Sequence, residues 1–258
     1  MTLTPQDVDA TAFDLMPDAF DGRASALCLH GLTGTPYEMR PIAEELVRRG
    51  LRCVGPVMAG HGQTPVELRP TPYRAWVDLA RDSLLKLRGE SERVYVVGLS
   101  MGGLVTLALA AENCADAVAV LGTPLRFAAS VRLRVPLAKY VYPYMKKNGD
   151  IDIQDEEARA RHPGLDAIPL ASAHQAMKLQ KLLRARLPKI TAPIFIGHGA
   201  LDRTANPRDA RAIFAAVNSD ERILYICKRS GHVISVDHDG PALATAIADF
   251  VQRQIECA

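Results

Sequence analysis

Several features typical of membrane, nucleic-acid-binding and nucleotide-binding proteins are absent from this sequence of 258 residues. It contains no apolar run of about 18 residues, so no membrane-spanning helix is expected. The formal net charge is only +2, and lysine and arginine form no long block, so nucleic acid is not an expected partner. Neither the G-x-G-x-x-G pattern nor a P-loop occurs, which argues against a nucleotide-phosphate site.

Cysteine is also scarce, with five residues and no C-x-x-C pair. Cys28, Cys53 and Cys227 fall within apolar runs, where a free thiol behaves as a small buried hydrophobic group. An odd number of cysteines without paired motifs favours a reducing compartment and gives no support to a metal site. The acidic stretch 2–21 lacks the layout of a secretion signal, so we expect a cytoplasmic protein.

The remaining composition is that of an ordinary globular protein, with 48% hydrophobic and 23% charged residues. Short apolar runs alternate with longer helical segments, and several of the runs are apolar on both faces. This pattern predicts an α/β fold with a mostly parallel, doubly wound sheet that helices cover on both sides. The predicted strands are 25–30, 51–56, 93–97, 117–121, 192–197 and 222–227, and the predicted helices include 37–49, 71–88 and 241–255. Thr35-Pro36, Thr71-Pro72 and Asn206-Pro207 are typical of helix starts.

One connection is far longer than a plain crossover needs. From residue 122 to about residue 190 the sequence has helical patches and breakers but no clear strand. A crossover between parallel strands takes a dozen residues or so plus a helix, so this segment is predicted to be an insertion. We assign residues 1–122 and 191–258 to the core. Residues 123–190 are assigned to an inserted helical cap over the carboxyl ends of the strands, where open α/β sheets bind ligands.

The most informative motif is Gly98-Leu99-Ser100-Met101-Gly102. It follows an apolar strand-type run and precedes a helix-forming stretch, which is the context of a nucleophile elbow. The two glycines leave room where strand and helix crowd together, so that the Ser100 hydroxyl points outward. The motif therefore predicts a serine hydrolase with Ser100 as its nucleophile.

A serine hydroxyl needs a base, and the base needs a carboxylate that orients it. Asp202 follows the predicted strand 192–197, and His232 follows the last predicted strand. Both are expected at the same edge of the sheet as Ser100, in the chain order Ser, Asp, His that elbow-type hydrolases use.

Other histidines and aspartates are alternatives for these two roles. His238 is the main alternative base, and Asp209 and Asp220 are the alternative carboxylates. The other histidines are interpreted as loop, strand-end or cap residues: His30, His61, His162, His174 and His198.

The tetrahedral intermediate of acyl transfer needs backbone N–H donors for its oxyanion. Met101 directly follows the nucleophile and supplies one donor. The second is expected from the glycine-rich loop 30–36 after the first predicted strand, with Leu32 as the candidate.

Together these motifs resemble the α/β-hydrolase family of bacterial carboxylesterases and monoacylglycerol lipases. The resemblance spans about residues 24–255 and rests on the segments HGLTGTP, GHG, GLSMGG, GALD and SGHV. It implies an α/β-hydrolase fold with Ser100, Asp202 and His232 as the catalytic triad, and with Leu32 and Met101 as oxyanion donors. Family members often have Asp-x-x-Val-Pro after the acid, whereas here Asp202 is followed by Arg-Thr-Ala-Asn-Pro.

The resemblance also implies a function. It indicates a serine carboxylic-ester hydrolase that acts through an acyl-enzyme on short-to-medium acyl esters of small molecules, without a metal ion or an organic cofactor. It further implies a cap glutamate near the alcohol side, for which Glu156 and Glu157 are the candidates. An acyltransferase, a thioesterase or a carbon–carbon bond hydrolase could use the same triad, and a non-catalytic binding protein is a remote alternative. The sequence leaves the oligomeric state open, a homodimer included.

Overall fold

The computed structural model describes residues 7–62, 64–127, 129–147 and 151–256. Strands and helices alternate along these residues. The strands are β1 (Phe13–Leu15), β2 (Ala24–Leu29), β3 (Arg52–Gly55), β4 (Arg93–Leu99), β5 (Ala117–Leu121), β6 (Tyr144–Lys146), β7 (Ala167–Pro169), β8 (Ile194–Gly199) and β9 (Arg222–Cys227). The α-helices are α1 (Arg40–Arg48), α2 (Pro65–Leu68), α3 (Tyr73–Arg88), α4 (Met101–Ala110), α5 (Ala129–Ala138), α6 (Glu156–Arg161), α7 (Leu170–Arg184), α8 (Arg208–Ala216) and α9 (Gly240–Glu256).

Seven of the strands form one sheet in the order β1-β3-β2-β4-β5-β8-β9. β1 is antiparallel to β3, and the other neighbouring pairs are parallel. The strand order reverses at β2, because β3 lies on one side of it and β4 on the other. Ligands bind at such a switch point, outside the carboxyl ends of the strands. The mostly parallel, doubly wound sheet that the sequence predicts is confirmed.

Both faces of the sheet are covered by helices. Side chains alternate along a strand, so in β4 Val94 and Val96 pack in the layer that contains α3 and α4, whereas Tyr95 and Val97 pack in the layer that contains α1 and α9. Each central strand must therefore be apolar on both faces, as the sequence pattern indicates.

Some element boundaries differ from the prediction. A 3₁₀ turn over Pro36–Met39 precedes α1, and the Thr35 side chain makes no capping hydrogen bond. α3 begins at Tyr73, with Pro72 rather than Thr71 as its N-cap. β1 is not among the predicted strands, because a strand of three residues is too short to show an alternation of apolar and polar residues.

The long connection between β5 and β8 contains α5, β6, α6, β7 and α7. The expectation that it holds no strand is wrong, since β6 and β7 pair as a small antiparallel sheet. Each of these strands has three residues, again too few for a periodic signal. The assignment of residues 123–190 to a separate cap stays a prediction.

Among the described residues, no helix combines the length and the apolar character that crossing a bilayer requires. Cys28, Cys53 and Cys227 are buried free thiols, as the sequence predicts, and Cys257 lies outside the described residues.

Candidate active site

Ser100 occupies the sharp turn between β4, which ends at Leu99, and α4, which begins at Met101. Its backbone has φ +54° and ψ −110°, a left-handed conformation that costs an L-residue about 1–3 kcal/mol. The Ser100 N–H donates to the Leu121 carbonyl of β5 at 2.7 Å, which holds the turn against the sheet. A strained strand-to-helix turn of this kind places a serine hydroxyl at the carboxyl edge of the strands.

Gly98 and Gly102 flank this turn because the surrounding backbone leaves no space for a side chain at either position. A Cβ on Gly98 would lie 2.3 Å from the Gly102 carbonyl oxygen and from Thr106 Oγ1. A Cβ on Gly102 would lie 2.1 Å from the Leu29 carbonyl oxygen of β2. Any larger residue at either position must therefore displace the backbone on which Ser100 is held.

The structure brings the predicted base and carboxylate to this turn. His232, in the loop after β9, has Nε2 at 2.8 Å from Ser100 Oγ and Nδ1 at 2.8 Å from Asp202 Oδ2. Asp202 lies in the loop after β8. The three loops thus form one hydrogen-bonded chain from hydroxyl to imidazole to carboxylate. When Nδ1–H donates to Asp202, Nε2 offers its lone pair to the Ser100 hydroxyl.

The Asp202 carboxylate is buried among hydrogen-bond donors. Its Oδ1 accepts from the N–H groups of Thr204 at 2.8 Å and Ala205 at 2.7 Å. Its Oδ2, which contacts His232 Nδ1, also lies 2.9 Å from His198 Nε2. Burial opposes ionisation, but the charge of His232 and the hydrogen bonds outweigh it and hold the pKa of Asp202 well below its usual range.

The protonation of His232 depends on the same contact. Burial disfavours the charged imidazole, but the negative charge of Asp202 and its hydrogen bond outweigh that effect and raise the pKa of His232. Asp152 and Glu38 add further negative charge nearby. The carboxylates therefore favour the imidazolium that forms when His232 takes a proton.

Sequence reasoning missed Asp152, which belongs to the connection between β5 and β8. Its carbonyl accepts from the N–H groups of His232 at 2.8 Å and Val233 at 3.3 Å. Its Oδ2 accepts from the N–H groups of Arg203 at 2.7 Å and Thr204 at 3.1 Å. Asp152 thereby joins the loop of the base to the loop of the carboxylate. It belongs to no motif, so no pattern in the sequence could have revealed it.

The candidate oxyanion donors flank the nucleophile. Met101 is the first residue of α4, and the first N–H groups of a helix have no intrahelical acceptor. Leu32 lies in the loop after β2, which pairs with β4, so this loop runs beside Ser100. A Cβ on Gly31 would lie 3.5 Å from Ser100 Cβ. Leu32 and Met101 both line the cavity at the nucleophile.

This cavity measures about 390 Å³ and lies between the sheet edge and the connection that joins β5 to β8. Ser100 and His232 line it, and so do three charged residues, Glu38, Lys147 and Asp152. Most of the lining is apolar and includes Leu104, Phe127, Val131, Val135, Met145 and Ile168. The site can therefore enclose an apolar group next to the serine hydroxyl.

The structure does not place the candidate cap glutamates in this cavity. Asp155 caps α6 through its side chain, which accepts from the Glu157 and Ala158 N–H groups. Glu156 and Glu157 consequently occupy the first turn of α6, where both are exposed to solvent. The carboxylates that line the cavity are instead Glu38 and Asp152.

The alternative base and carboxylates make other contacts. His238 Nδ1 lies 3.4 Å from Asp155 Oδ2 on the surface. Asp209 accepts from the Leu125 N–H at 2.8 Å, and Asp220 is exposed. Ser100 and His232 therefore have the partners that the chain order predicts, and the alternatives do not reach them.

The model of one protein family, described as serine aminopeptidase S33, matches residues 21–239. A thermostable monoacylglycerol lipase from Bacillus sp. (strain H-257) is 28% identical over 238 residues, which cover 91% of this chain and 93% of the relative. A carboxylesterase from Bacillus subtilis (strain 168) is 26% identical over 233 residues, which cover 90% of this chain and 94% of the relative.

Solved structures of lipolytic enzymes have the same fold. One from a study of LipS and LipT, two metagenome-derived lipolytic enzymes, superposes with a TM-score of 0.87 at 22% identity and covers 97% of this chain and 99% of its own. A monoglyceride lipase from Saccharomyces cerevisiae, in complex with a substrate analogue, superposes with a TM-score of 0.81 at 15% identity. That match covers 94% of this chain and 90% of its own.

Proposed function

The chain belongs to the serine aminopeptidase S33 family and is a serine ester hydrolase of the α/β-hydrolase fold, and we propose that it cleaves carboxylic esters through an acyl-enzyme formed on Ser100. The observation that carries the proposal is the chain of 2.8 Å contacts from Ser100 Oγ through His232 to Asp202 in a mostly apolar cavity. That arrangement is what an activated serine needs.

In the first half of the reaction, Ser100 Oγ attacks the ester carbonyl carbon while His232 Nε2 takes the hydroxyl proton. Asp202 holds the imidazole and stabilises its positive charge. The carbonyl oxygen becomes an oxyanion that accepts from the N–H groups of Leu32 and Met101. When the intermediate collapses, the carbon–oxygen bond to the alcohol breaks and His232 gives its proton to the departing alkoxide.

In the second half, water attacks the acyl-enzyme while His232 takes a proton from it. Collapse of the second intermediate breaks the bond between the acyl carbon and Ser100 Oγ and releases the carboxylic acid, while His232 returns its proton to Ser100 Oγ. Besides the ester and water, these steps use only side chains and backbone of the chain itself.

The substrates are esters with a short-to-medium acyl chain. The apolar lining and the volume of about 390 Å³ support this size class. Residues 123–190 serve as a cap, a role supported by Val131, Val135, Met145 and Ile168, which reach the cavity from that segment. The protein works in the cytoplasm, where the buried thiols of Cys28, Cys53 and Cys227 stay reduced.

The test is a comparison of the wild type and Ser100→Ala on p-nitrophenyl esters from acetate to palmitate. We expect Ser100→Ala to lose at least about 10³-fold in kcat, because the nucleophile is gone. Ser83→Ala is the matched control, since the Ser83 hydroxyl donates to Leu79 O within α3, away from the cavity. Near-normal turnover by folded Ser100→Ala would remove the proposal.

Two further substrate sets define the reaction. Aminoacyl p-nitroanilides test the peptidase activity that the family description names, and thioesters with added alcohol acceptors test for thioesterase and transferase activity. We expect ester hydrolysis to give the highest kcat/KM, with an optimum at a short or medium chain. A higher kcat/KM on an anilide or a thioester would assign a different substrate class to the same triad.

A further inference from the structure

A second set of buried polar groups lies beside the triad. The Glu38 side chain is buried, and its Oε2 accepts from the Gly31 N–H at 2.9 Å. Its Oε1 lies 2.9 Å from Nε2 of His162, which is also buried. Burying a carboxylate costs free energy unless hydrogen-bond donors surround it, so the burial of Glu38 beside the site suggests that its charge has a role. The mechanism above uses neither side chain.

His162 has a defined orientation in this contact. Its Nδ1 accepts from the Gly164 N–H at 3.1 Å, so Nδ1 carries no proton in this arrangement. The proton then resides on Nε2 and is donated to Glu38. The residue after Gly164, Leu165, donates its N–H to the Thr33 carbonyl at 2.8 Å.

These contacts hold the loop on both sides of Leu32. Gly31, just before it, donates to Glu38, and Thr33, just after it, accepts from Leu165. Thr33 has φ +63°, a left-handed conformation that persists only when its surroundings hold it. The position of the Leu32 N–H is thus set by Glu38 from the core and by residues 162–165 from the connection between β5 and β8.

The backbone around this contact is shaped to fit the carboxylate. A Cβ on Gly34 would lie 2.2 Å from Glu38 Oε1 and 2.3 Å from Oε2. A Cβ on Gly164 would lie 2.7 Å from His162 Cε1 and 3.0 Å from the Thr33 carbonyl oxygen. Only glycine at these positions allows the loop, the carboxylate and the imidazole to approach one another so closely.

The groups that surround Glu38 keep it ionised. Burial opposes its ionisation, but the hydrogen bond from His162, the electrostatic interactions with the His162 and His30 imidazoles and the Gly31 N–H outweigh burial and lower the pKa of Glu38 to about 2. Lys147, which lines the same cavity, is electrostatically coupled to Glu38. The carboxylate is therefore a permanent acceptor for the Gly31 N–H.

We propose that Glu38 and His162 are positioning residues that aim the Leu32 N–H at the oxyanion and thereby couple the cap to the oxyanion hole. This inference rests on the proposed function, because it assigns a task within the acyl-transfer reaction. Oxyanion donors act only when they lie about 2.7–3.1 Å from the developing charge, so a small displacement of this loop reduces catalysis. Glu38 and His162 touch no reacting atom and act through Leu32.

The test uses variants that disturb the contact in different ways. His162→Leu removes the donor to Glu38, and Gly34→Ala pushes the carboxylate away without removing any polar group. His162→Gln retains an N–H group that can reach Glu38. Gly89→Ala is the matched control, since its Cβ would lie 3.4 Å from Lys86 O, at an ordinary contact distance.

The readouts separate transition-state binding from ground-state binding. A boronic acid forms a tetrahedral adduct with Ser100 Oγ whose oxygen occupies the oxyanion hole, whereas an ether analogue of the ester fills the cavity without a carbonyl group. We expect His162→Leu and Gly34→Ala to lose about 10- to 100-fold in kcat. Their affinity for the boronic acid should fall by the same factor. KM and affinity for the ether stay near wild type, and His162→Gln recovers part of the loss.

Two results would overturn the inference. One is unchanged kcat and boronic acid affinity in folded His162→Leu and Gly34→Ala. The other is an equal loss of affinity for boronic acid and ether, which would mean that the residues only support the fold. Gly34→Ala keeps both buried side chains and His162→Gln keeps an N–H donor, so these two variants allow the decision even if His162→Leu does not fold. Failure of the wild type to react with a fluorophosphonate would instead refute the proposed function itself.

Discussion

In the proposed mechanism the proton of Ser100 passes to His232, and the Asp202 carboxylate on the other side of the imidazole determines how readily the imidazole holds that proton. Nδ1 of His232 lies 2.8 Å from Asp202 Oδ2, and the negative charge raises the pKa of His232 despite burial. A base with a raised pKa accepts the proton more strongly, but it is also protonated, and therefore inactive, up to a higher pH. The pH at which the rate falls on the acid side therefore depends on the contact between His232 and Asp202.

We expect the kcat/KM of the wild type to rise with pH through a value above the ordinary histidine pKa of about 6.5. In Asp202→Asn, kcat should fall by about 10⁴-fold, because an amide at this position no longer holds the imidazole in the active tautomer. The remaining activity should have its acid limb at a lower pH, since the charge that raised the pKa of His232 is gone. Initial rates between pH about 5 and 9 measure both effects.

Asp209→Asn is the control for this prediction. Asp209 is a second carboxylate near the same sheet edge, but it accepts from the Leu125 and Arg126 N–H groups rather than from a histidine. Asparagine keeps an oxygen acceptor there, so rate and acid limb should stay near wild type. An acid limb that does not move in Asp202→Asn would contradict the electrostatic role of the carboxylate.

At the residue scale, the sequence reveals the site residues that belong to motifs. It does not reveal residues that reach the site only through tertiary contacts. Ser100, Asp202 and His232 each follow a strand, and parallel strands bring such positions to one edge, so their proximity could be predicted. Asp152 and Glu38 reach the site because loops distant in sequence pack against them. No local spacing encodes those contacts. The catalytic roles themselves stay a prediction until variants are assayed.

At the scale of elements, two helices of equal length show what holds the fold together. α4 and α5 each contain ten residues, most of them apolar. In α4 every residue is buried, because the helix lies on the sheet beneath Ser100, whereas α5 has no buried residue. Their similar apolar composition does not reveal which of the two packs in the core.

Leucine-to-alanine substitutions distinguish the two helices. Leu107 of α4 is 0% exposed, and Leu107→Ala should lower the free energy of unfolding by about 2–5 kcal/mol through lost burial and the cavity left behind. Leu133 of α5 is 74% exposed, and the same substitution there should change the free energy by no more than about 0.5 kcal/mol. Urea unfolding followed by circular dichroism measures both. Equal losses would mean that α5 is packed in solution.

The strands of the core could be predicted because each has a local signal in the sequence. Runs such as 93–97 and 117–121 are apolar throughout, which fits strands covered on both faces, and β4 and β5 begin at those positions. The three-residue strands β1, β6 and β7 could not be predicted, because their hydrogen bonds come from partners distant in sequence. The connection between β5 and β8 was less accurately predicted for the same reason, since it contains β6 and β7.

At the scale of the whole molecule, stability depends on pH through buried carboxylates. Glu38 is buried with a pKa of about 2, against about 4.3 for an unfolded glutamate. A group whose pKa is depressed by folding stabilises the protein above its unfolded pKa, and that contribution is lost as the pH falls toward the folded value. The contact between Glu38 and His162 should therefore stabilise the fold near neutral pH and weaken between pH about 5 and 2.

Glu38→Gln tests this linkage because glutamine does not titrate. The difference in unfolding free energy between wild type and Glu38→Gln should be largest above pH about 5 and should shrink by up to about 3 kcal/mol as the pH falls toward 2. Urea unfolding at a series of pH values gives the difference directly. Glu44→Gln is the control, since Glu44 is exposed on α1 and its substitution should leave the pH dependence unchanged. Parallel stability curves for wild type and Glu38→Gln would show that Glu38 titrates alike in the folded and unfolded chain, against the burial and hydrogen bonding described here.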